Sequence, residues 1–531
     1  MLVPLERKHM ELIDNKALKI TVPNDIVDRI KTAIEKTKVL DTREHLTDLL
    51  IHWGPDELTQ LNSIVTFKHT LPSPIAQDYK YTGRWSPFDH QKTTSEFLSI
   101  NRRAFCFNEA GTGKTSSVLW ASDYLMNLGV IKRVLVICPL SIMTSAWKND
   151  VYNTCIHRVP GVAYGTAADR KAIINNTRYE FVIINYDGVR IVKDDIVDAN
   201  FDLIVVDEAN AYKNVSTTRW KTLNKILKPH TRLWMLTGTP ASQSPCDAYG
   251  LARLVAPHKV PKFSSAWRDR VMNQITRFKW VPKPTSEGSV YSVLQPAIRF
   301  AKNDCLDLPE VTYQTREVPL TKNVEKYYKE LKKEMLIVAA GEEITSVNAA
   351  ASMTKLLQIS GGAVYTDERK VVEFDVRPRL NALMEVIDET SNKILIFVPY
   401  RHTIDIVAKH LEEKGITTAI INGSVSAHNR TEIIKEFQNA DDPRALVIQP
   451  QSASHGVTLT RADTVVFWSP VMSVEVYLQC IARIDRVGQK NKMTVVHLQG
   501  SAIERKLYAM LQGKVDRHMN LVDLYREEIG L

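Results

Sequence analysis

Short apolar runs separated by stretches of helical periodicity recur in two parts of the chain. The first series lies at residues 104–107, 134–138, 181–184, 203–206 and 233–236, and the second at residues 394–398, 418–421, 445–448, 464–468 and 494–498. Continuously apolar runs that alternate with helices are typical of parallel strands covered on both faces of a sheet. Since each series has the length of an ordinary domain, the pattern predicts two α/β domains.

The pattern changes outside these two series. Residues 322–340 and 344–359 have helical periodicity, whereas the region of Trp267 and the segment 282–289 are expected to be irregular. We predict an N-terminal accessory region at 1–85, a first lobe at 86–255, a helical connector with a protrusion at 256–379, a second lobe at 380–512 and a helical tail at 513–531. In the accessory region, a helix is predicted over residues 24–36, with Asn24 as its cap.

Composition narrows the class of protein. The chain is 44% hydrophobic and 24% charged, as ordinary globular proteins are, and no apolar run reaches 18 residues, so we expect no membrane span. The first residues lack an apolar signal core, and six scattered cysteines form no CxxC pair. Free thiols in a reducing compartment are therefore expected, which indicates the cytoplasm of a bacterium or phage-infected host, or the nucleus in a eukaryote. A net charge of +9 suits a polyanionic partner without establishing one.

A glycine-rich turn follows the first strand of the first domain. The sequence from Asn108 to Thr115, NEAGTGKT, leads from this strand into a helix. Such a turn directs backbone N–H groups and the positive end of the helix at phosphates. We predict that Lys114 reaches the β- and γ-phosphates of ATP and that the Thr115 hydroxyl binds Mg²⁺. The predicted phosphate-binding residues are Gly111, Thr112, Gly113, Lys114, Thr115 and Ser116, although the strict pattern has glycine where Asn108 stands.

Two carboxylates follow the apolar strand at 203–206. A buried acid pair is costly unless it binds something, so Asp207 and Glu208 are hard to explain by packing. Beside a phosphate-binding loop, Asp207 is expected to hold Mg²⁺. Glu208 is expected to orient or deprotonate the attacking water.

These segments resemble motifs one to three of superfamily-two helicases: GTGKT, the sequence from Asp207 to Asn210, and LTGTP at 236–240. The segments CPLS at 138–141 with Trp147-Lys148, and YKN at 212–214, are similar to the Snf-type DNA translocase branch. Residues 87–91, PFDHQ, resemble the adenine-reading Q motif, with Gln91 as the adenine contact. In the second domain, NGS at 422–424, the segment 452–463 and the sequence from Gln479 to Gln489 resemble motifs four to six. The resemblance implies two RecA-like lobes and a DNA-dependent ATPase.

Two arginines in the segment that resembles motif six are candidates for catalysis. Arg483 and Arg486 lie three residues apart and would share one face of a helix, where they repel unless they face an anion. The resemblance implies that this anion is the γ-phosphate, with Arg486 as the arginine finger that stabilises the transition state. Gly456, in the segment that resembles motif five, completes the predicted ATP-binding set.

Nucleic-acid contacts are expected from loops of both lobes. The candidates are Ser141, Lys213, Gly238, Thr239, Arg401 and Ser452. Hydroxyls and backbone amides at loop tips suit phosphate contacts without base readout, so we predict low sequence specificity and strong salt dependence. The resemblance implies a motor on double-stranded or branched DNA that acts as a monomer, with residues 1–85 available to DNA or a protein partner or else packed on the first lobe.

Two departures from the family pattern leave questions for the structure. Asn210 replaces the usual histidine of the DEAH form, which puts the link to motif three in doubt, and His455 stands where motif five favours glycine.

Two alternative functions also stay open. One is a helicase that separates DNA or RNA strands, and the other is a nucleotide-gated DNA clamp with little turnover, against which Glu208 and Arg486 argue.

Overall fold

The computed structural model describes residues 3–5, 9–14, 16–61, 63–67, 73–241, 244–275, 280–341, 346–365, 371–453 and 457–513. These residues form two compact units. The first comprises residues 1–241, 245–272 and 283–305, and the second comprises residues from 306 onward with the short segments 242–244 and 273–282. The predicted tail at 513–531 lies outside the described residues except for its first residue.

The N-terminal region is a small α/β layer in which an antiparallel sheet in the order β2-β3-β5-β4 is packed on helices. Strand β3 alternates in burial, and its inward residues Leu18, Ile20 and Val22 are fully buried beside Ile30. This alternation is expected of a sheet with one solvated face. The elements are β1 (Val3–Leu5), β2 (Met10–Ile13), β3 (Ala17–Pro23), α1 (Val27–Ala33), β4 (Thr37–Thr42), β5 (Leu46–His52), α2 (Pro55–Leu61), β6 (Val65–Phe67) and α3 (Pro74–Asp78).

The predicted cap at Asn24 is wrong. A 3₁₀ turn at Asn24–Ile26 precedes α1, and the Asn24 side chain makes no capping bond. Its amide nitrogen instead donates to the carbonyls of Arg43 and Glu44 at 3.0 and 3.1 Å, and its oxygen accepts a bond from Thr47 at 2.8 Å. The helix also ends three residues early, at Ala33, because the chain from Thr37 pairs with β5. Asn24 therefore fixes the β4–β5 turn.

The described part of residues 1–85 packs on the first lobe, which is one of the two predicted alternatives. The Arg232 guanidinium pairs with Asp56 at 2.5 Å, and the Tyr79 hydroxyl donates to the fully buried Asp123 at 2.7 Å. The Trp120 indole donates to the Thr82 carbonyl at 2.9 Å. These buried contacts make the region a structural part of the first unit.

The first lobe has a seven-stranded parallel sheet in the order β15-β7-β12-β11-β8-β10-β9. All five predicted strands are present within one residue at either end, and their side chains form the core of the lobe. Strand β9 was not predicted because it is short and begins with proline and glycine. The elements up to residue 255 are α4 (Asp89–Ile100), β7 (Arg103–Cys106), α5 (Lys114–Asn127), β8 (Val134–Cys138), α6 (Asn149–Thr154), β9 (Pro160–Ala163), α7 (Ala167–Asn175), β10 (Phe181–Asn185), α8 (Tyr186–Ile191), α9 (Lys193–Ala199), β11 (Leu203–Val206), α10 (Thr218–Ile226), β12 (Arg232–Leu236) and α11 (Ala248–Val255).

Residues 256–305 are more regular than predicted. The regions around Trp267 and 282–289, expected to be irregular, contain short helices, and the fully buried Trp267 indole donates to the Pro245 carbonyl at 3.2 Å. The elements are α12 (Ser264–Val271), β13 (Met272–Gln274), β14 (Trp280–Pro282), α13 (Ser286–Val293), β15 (Ala297–Ile298) and α14 (Lys302–Cys305). Strand β15 pairs with β7, so this part of the predicted connector completes the first sheet.

The second unit contains a six-stranded parallel sheet in the order β16-β23-β22-β19-β21-β20. The five predicted strands are present, and the edge strand β16 was missed because its residues are partly exposed and not continuously apolar. The two predicted connector helices correspond to α15 and α16. The elements are β16 (Val311–Glu317), α15 (Lys322–Gly341), α16 (Ser346–Gly361), β17 (Ala363–Tyr365), β18 (Val371–Glu373), α17 (Arg377–Glu389), β19 (Lys393–Phe397), α18 (Arg401–Glu413), β20 (Thr418–Ile421), α19 (Ala427–Asn439), β21 (Ala445–Ile448), α20 (Pro450–Ala453), β22 (Ala462–Phe467), α21 (Val474–Ile481), β23 (Met493–Gln499) and α22 (Ala502–Leu511).

A buried ion pair joins two helices of the second unit. The Arg379 guanidinium on α17 donates to both carboxylate oxygens of Glu504 on α22, at 2.8 and 3.0 Å. Glu504 also accepts bonds from the backbone of Gly500 and Ser501. Because neither partner is more than 4% exposed, removal of either would leave the other charge buried.

None of the described helices is both long and apolar enough to cross a membrane. The six cysteines are free thiols, and Cys106 and Cys138 are buried in β7 and β8 as predicted.

Candidate functional site

The predicted phosphate-binding loop connects β7 to α5 at the carboxyl edge of the first sheet. Gly111 and Gly113 have positive φ values of 89° and 80°, a region that glycine occupies at little cost. A β-carbon at Gly113 would clash with Nε2 of Gln91, so a side chain there would displace the Gln91 amide. The Lys114 ammonium lies within the curve of the loop and donates to the carbonyls of Asn108 and Glu109 at 2.8 and 3.2 Å.

The departure at position 108 has a structural explanation. Asn108 is 1% exposed, its amide nitrogen donates to the Thr94 hydroxyl at 2.9 Å, and its oxygen accepts the Phe300 backbone N–H at 3.0 Å. The side chain therefore ties the loop to α4 and to the chain after β15. Neither Thr94 nor Phe300 could be recognised from the sequence, because the contact with Phe300 crosses 192 residues.

Substitution of Asn108 by glycine, the residue that the strict pattern has there, is expected to destabilise the protein. The change removes two buried hydrogen bonds and leaves the Phe300 N–H without this acceptor, a loss of about 2 to 3 kcal/mol in the free energy of unfolding. Urea unfolding of the parent and Asn108→Gly would measure it. Equal midpoints would show that the Asn108 contacts do not stabilise the loop.

A second contact joins the loop to α14. The Glu109 carboxylate accepts the Lys302 backbone N–H at 3.0 Å, and the Glu109 N–H donates to the Phe300 carbonyl at 3.1 Å. Residues 300–302 thus also hold the loop in place. Sequence analysis missed this segment as part of the site.

Gln91, the predicted adenine contact, touches the phosphate-binding loop. Its Nε2 donates to the Thr112 carbonyl at 3.1 Å, its oxygen accepts the Phe88 N–H at 3.0 Å, and His90 also contacts the Thr112 carbonyl, at 2.8 Å. Exposed Phe88 stacks on His90 with ring centroids 5.7 Å apart. These contacts link the Q-motif segment to the loop, and adenine binding by Gln91 stays a prediction.

The two acidic residues lie at the end of β11, next to β8. The Asp207 carboxylate accepts the Trp147 indole N–H at 2.9 Å through Oδ2 and the Glu208 N–H at 2.9 Å through Oδ1. Burial raises the pKa of Asp207, although the charge of Lys114 and the bond from Trp147 oppose the rise. The loop after β7 and the acidic pair after β11 lie at the same edge of the sheet, near enough for the Lys114 charge to act on this carboxylate.

Glu208 has an unusual backbone. Its φ of 48° places it in the left-handed region, which is uncommon for a residue with a side chain. The Tyr186 hydroxyl donates to the carbonyls of Asp207 at 2.7 Å and Glu208 at 3.3 Å, and so holds the turn. A strained backbone maintained by its surroundings is typical of functional sites. Sequence analysis did not identify Tyr186.

Asn210 contacts the segment that resembles motif three, which answers the question raised by its departure from histidine. Its amide nitrogen donates to the Thr239 carbonyl at 2.9 Å and to the Thr239 hydroxyl at 3.2 Å. A β-carbon at Gly238 would lie 3.5 Å from the Ala110 nitrogen and the Asn108 oxygen. The motif-three turn therefore packs against both the acidic segment and the phosphate-binding loop.

The four predicted nucleic-acid contacts of the first unit follow three neighbouring strands. Ser141 lies after β8, Lys213 after β11, and Gly238 and Thr239 after β12. The Lys213 ammonium pairs with Asp247 at 3.2 Å. The carboxyl ends of parallel strands form one edge, so these residues share the edge of the sheet that carries the phosphate-binding loop. Their contact with nucleic acid stays a prediction.

In the second unit, the side chains of Arg483 and Arg486 lie together, but not on the shared helical face that was predicted. Helix α21 ends at Ile481, so both arginines lie in the turns that follow and not on a helix. Their guanidinium groups nevertheless donate to the same Val457 carbonyl, at 3.0 and 2.9 Å, and Arg486 also donates to the Thr458 hydroxyl at 2.8 Å. The bond from the Leu459 N–H to the Arg483 carbonyl fixes this turn.

The other predicted residues of the second unit are placed as follows. Arg401 is exposed at the first position of α18, and Ser452 lies in α20, where its N–H donates to the Gln449 carbonyl at 2.8 Å. Gly456 and His455 lie outside the described residues. Thr115 and Ser116 are half-buried in the first turn of α5.

Comparison with known protein families decides the affiliation. The model of the SNF2-related domain matches residues 90–362, slightly more than half of the chain. The chain belongs to the SNF2-related family. The model of the helicase conserved C-terminal domain matches residues 378–488 of this SNF2-related chain. This range runs from α17 to the turn after α21.

Individual relatives are distant. The chain is 24% identical over 82% of its length to the SWI/SNF-related matrix-associated actin-dependent regulator of chromatin subfamily A-like protein 1 of Xenopus laevis, and covers 44% of that protein. It is 26% identical over 76% of its length to protein p41 of Acyrthosiphon pisum secondary endosymbiont phage 1, and covers 90% of that protein. The chain therefore spans less than half the length of the Xenopus relative.

One solved structure that matches this chain is the Sulfolobus solfataricus SWI2/SNF2 ATPase core in complex with dsDNA. The match covers 85% of this chain and 95% of that one, at 20% identity and a TM-score of 0.41.

Proposed function

We propose that the chain is a Mg·ATP-driven DNA translocase that tracks along double-stranded or branched DNA. The observation that carries the proposal is the site at the carboxyl edge of the first sheet. There, in a member of the SNF2-related family, the motif-three turn lies against the phosphate-binding loop and is bonded to Asn210, two residues after the acidic pair. This arrangement suits an enzyme in which ATP hydrolysis changes the position of the adjoining loops.

The residues of the first unit fit Mg·ATP. Gly111 and Gly113 carry no side chain that would cover the backbone of the loop at those positions, and Lys114 supplies a cation at the start of a 14-residue helix. When bound, Mg·ATP supplies the phosphoryl group whose transfer to water releases the free energy used by the motor. Lys114 would bind the β- and γ-phosphates, and Thr115 and Asp207 would hold the metal.

The remaining catalytic roles are assigned to three charged residues. Glu208, held in the left-handed turn by Tyr186, would orient the attacking water and accept its proton. Arg483 and Arg486 would stabilise the charge that develops on the γ-phosphate, with Arg486 as the arginine finger. Their common acceptor, the Val457 carbonyl, keeps the two guanidinium groups together.

Contact with DNA is assigned to the loops after neighbouring strands. Ser141, Lys213, Gly238 and Thr239 share the edge that carries the ATP site, and Asn210 joins Thr239 to the acidic segment. A change at the acidic pair could thereby alter the grip of the motif-three turn on a phosphate. We assign Arg401 and Ser452 to the same task in the second unit. Duplex or branched DNA is the proposed substrate, and the cytoplasm of a bacterium or phage-infected cell is the proposed location.

The test is the steady-state ATPase rate with no nucleic acid, single-stranded DNA, duplex DNA, a branched fork and RNA. We expect duplex or fork DNA to give the largest stimulation, and Lys114→Ala to abolish turnover under every condition because the phosphates lose their cation. Stimulation by single strands or RNA alone would instead support a strand-separating helicase. Absence of turnover with every nucleic acid would support a nucleotide-gated clamp.

Duplex affinity should fall steeply with salt, because the proposed contacts go to phosphates. A site that neutralises about five phosphates would lose roughly two to three orders of magnitude between 50 and 200 mM salt. Fluorescence anisotropy with two duplexes of unrelated sequence would measure both this slope and the expected lack of sequence preference. A slope near zero would contradict the assignment of these loops.

A further inference from the structure

Trp147 contacts the proposed metal ligand directly. It lies in a π-helical turn, Met143–Lys148, between the 3₁₀ turn at Leu140–Ile142 and helix α6. Its indole N–H donates to Oδ2 of Asp207 at 2.9 Å, while Oδ1 of Asp207 accepts the Glu208 N–H. The orientation of the carboxylate is thus set by one side chain and one backbone group.

The indole ring itself has little freedom. Trp147 is fully buried, and Met143 and Val151, four residues before and after it, lie in the same hydrophobic core. The direction of the indole N–H is therefore fixed by packing of the first lobe and not by Asp207. A π turn within a helical stretch is frequent at functional sites, because it places side chains where a regular helix would not.

We propose that Trp147 is a positioning residue for the metal site: its N–H holds the Asp207 carboxylate in the orientation that binds Mg²⁺. The inference rests on the proposed function, since it needs Asp207 to be the metal ligand. Groups that orient metal ligands by hydrogen bonding contribute about 10- to 100-fold to metal affinity. Trp147 does not touch the metal or the nucleotide in this assignment.

The chain offers a matched control for loss of an indole N–H. Trp234 lies in β12 of the first sheet and is fully buried. Its indole donates to the Asn101 carbonyl at 2.9 Å, away from the acidic pair. Trp147→Phe and Trp234→Phe therefore remove the same group from the same core, and only the first removes a bond to a carboxylate.

The test is the affinity for Mn²⁺, measured by electron paramagnetic resonance in the presence of a non-hydrolysable ATP analogue. We expect Trp147→Phe to weaken Mn²⁺ binding about 10- to 100-fold and Trp234→Phe to leave it within about twofold of the parent. Trp147→His, which keeps a ring N–H, should recover part of the loss. Equal affinities of the two phenylalanine variants, or a histidine variant weaker than phenylalanine, would overturn the inference.

Kinetics separate a positioning role from loss of structure and from failure of the proposed function. In Trp147→Phe the Mg²⁺ concentration for half-maximal ATPase rate should rise about tenfold, with the KM for ATP at saturating Mg²⁺ unchanged within about twofold. A rise of both quantities together would overturn the inference. If the parent hydrolyses no ATP, the proposed function fails, and the Mn²⁺ affinities still decide the role of Trp147.

Discussion

Glu208→Gln is expected to lower kcat for ATP hydrolysis by about 10²- to 10⁴-fold while ATP binding is retained. Glutamine keeps the shape of the side chain and one acceptor oxygen but cannot accept the proton of the attacking water. The left-handed turn should persist, because the Tyr186 hydroxyl holds it through bonds to the backbone carbonyls of Asp207 and Glu208. The measurement is single-turnover hydrolysis beside equilibrium binding of a fluorescent ATP analogue.

Glu287→Gln is the control for this substitution. Glu287 is exposed on α13 of the first unit and is not among the proposed site residues, so the change should leave kcat unaltered. A Glu208→Gln variant that hydrolyses ATP at the parent rate would remove the proposed base. A variant that no longer binds the analogue would show that Glu208 maintains the structure of the phosphate-binding loop and is not needed only as the base.

Arg379→Met is expected to destabilise the second unit by about 3 to 5 kcal/mol. The substitution leaves the Glu504 carboxylate at 0% exposure without its guanidinium partner, and an uncompensated buried charge has a cost of this size. The side chain volume is largely kept, so the loss reports the ion pair together with the bond from Arg379 to the Trp468 carbonyl, and not a cavity. Urea unfolding, followed by the fluorescence of buried tryptophans such as Trp468, would measure it.

Arg505→Met tests whether burial is the cause. Arg505 pairs with Glu317 at 3.3 Å, but both side chains are about half exposed, at 48% and 61%. Exposed pairs contribute less than about 1 kcal/mol, so this variant should unfold near the parent midpoint. Similar losses in the two variants would mean that the buried pair at Arg379 has no special role.

The strands and the loop sequence could be predicted from the chain because their signals are local. Apolar runs such as 134–138 and 203–206 identify buried strands, and the glycines of GTGKT identify the turn. The contacts that hold the site were not predictable, because they join distant residues. Asn108 meets Phe300 and Asp207 meets Trp147 only once the sheet has assembled.

Errors in the sequence analysis arose where a local helical signal competes with a tertiary contact. Asn24 has the residue type and position of a helix cap, yet its amide satisfies the carbonyls of the β4–β5 turn instead. The spacing of Arg483 and Arg486 suggests a shared helical face, yet α21 ends at Ile481 and a shared backbone acceptor brings the guanidinium groups together. In both cases a tertiary hydrogen bond prevailed over the helical pattern.

The return of residues 297–302 to the first sheet has a practical consequence for anyone who expresses the first lobe alone. A fragment that ends at Val255, where the alternation of strands and helices stops, would lack β15 and the backbone groups of Phe300 and Lys302. It would expose the outer edge of β7, a template for aggregation, and free one side of the phosphate-binding loop. We expect a fragment that ends at Cys305, where the first compact unit ends, to stay monomeric and to bind nucleotide.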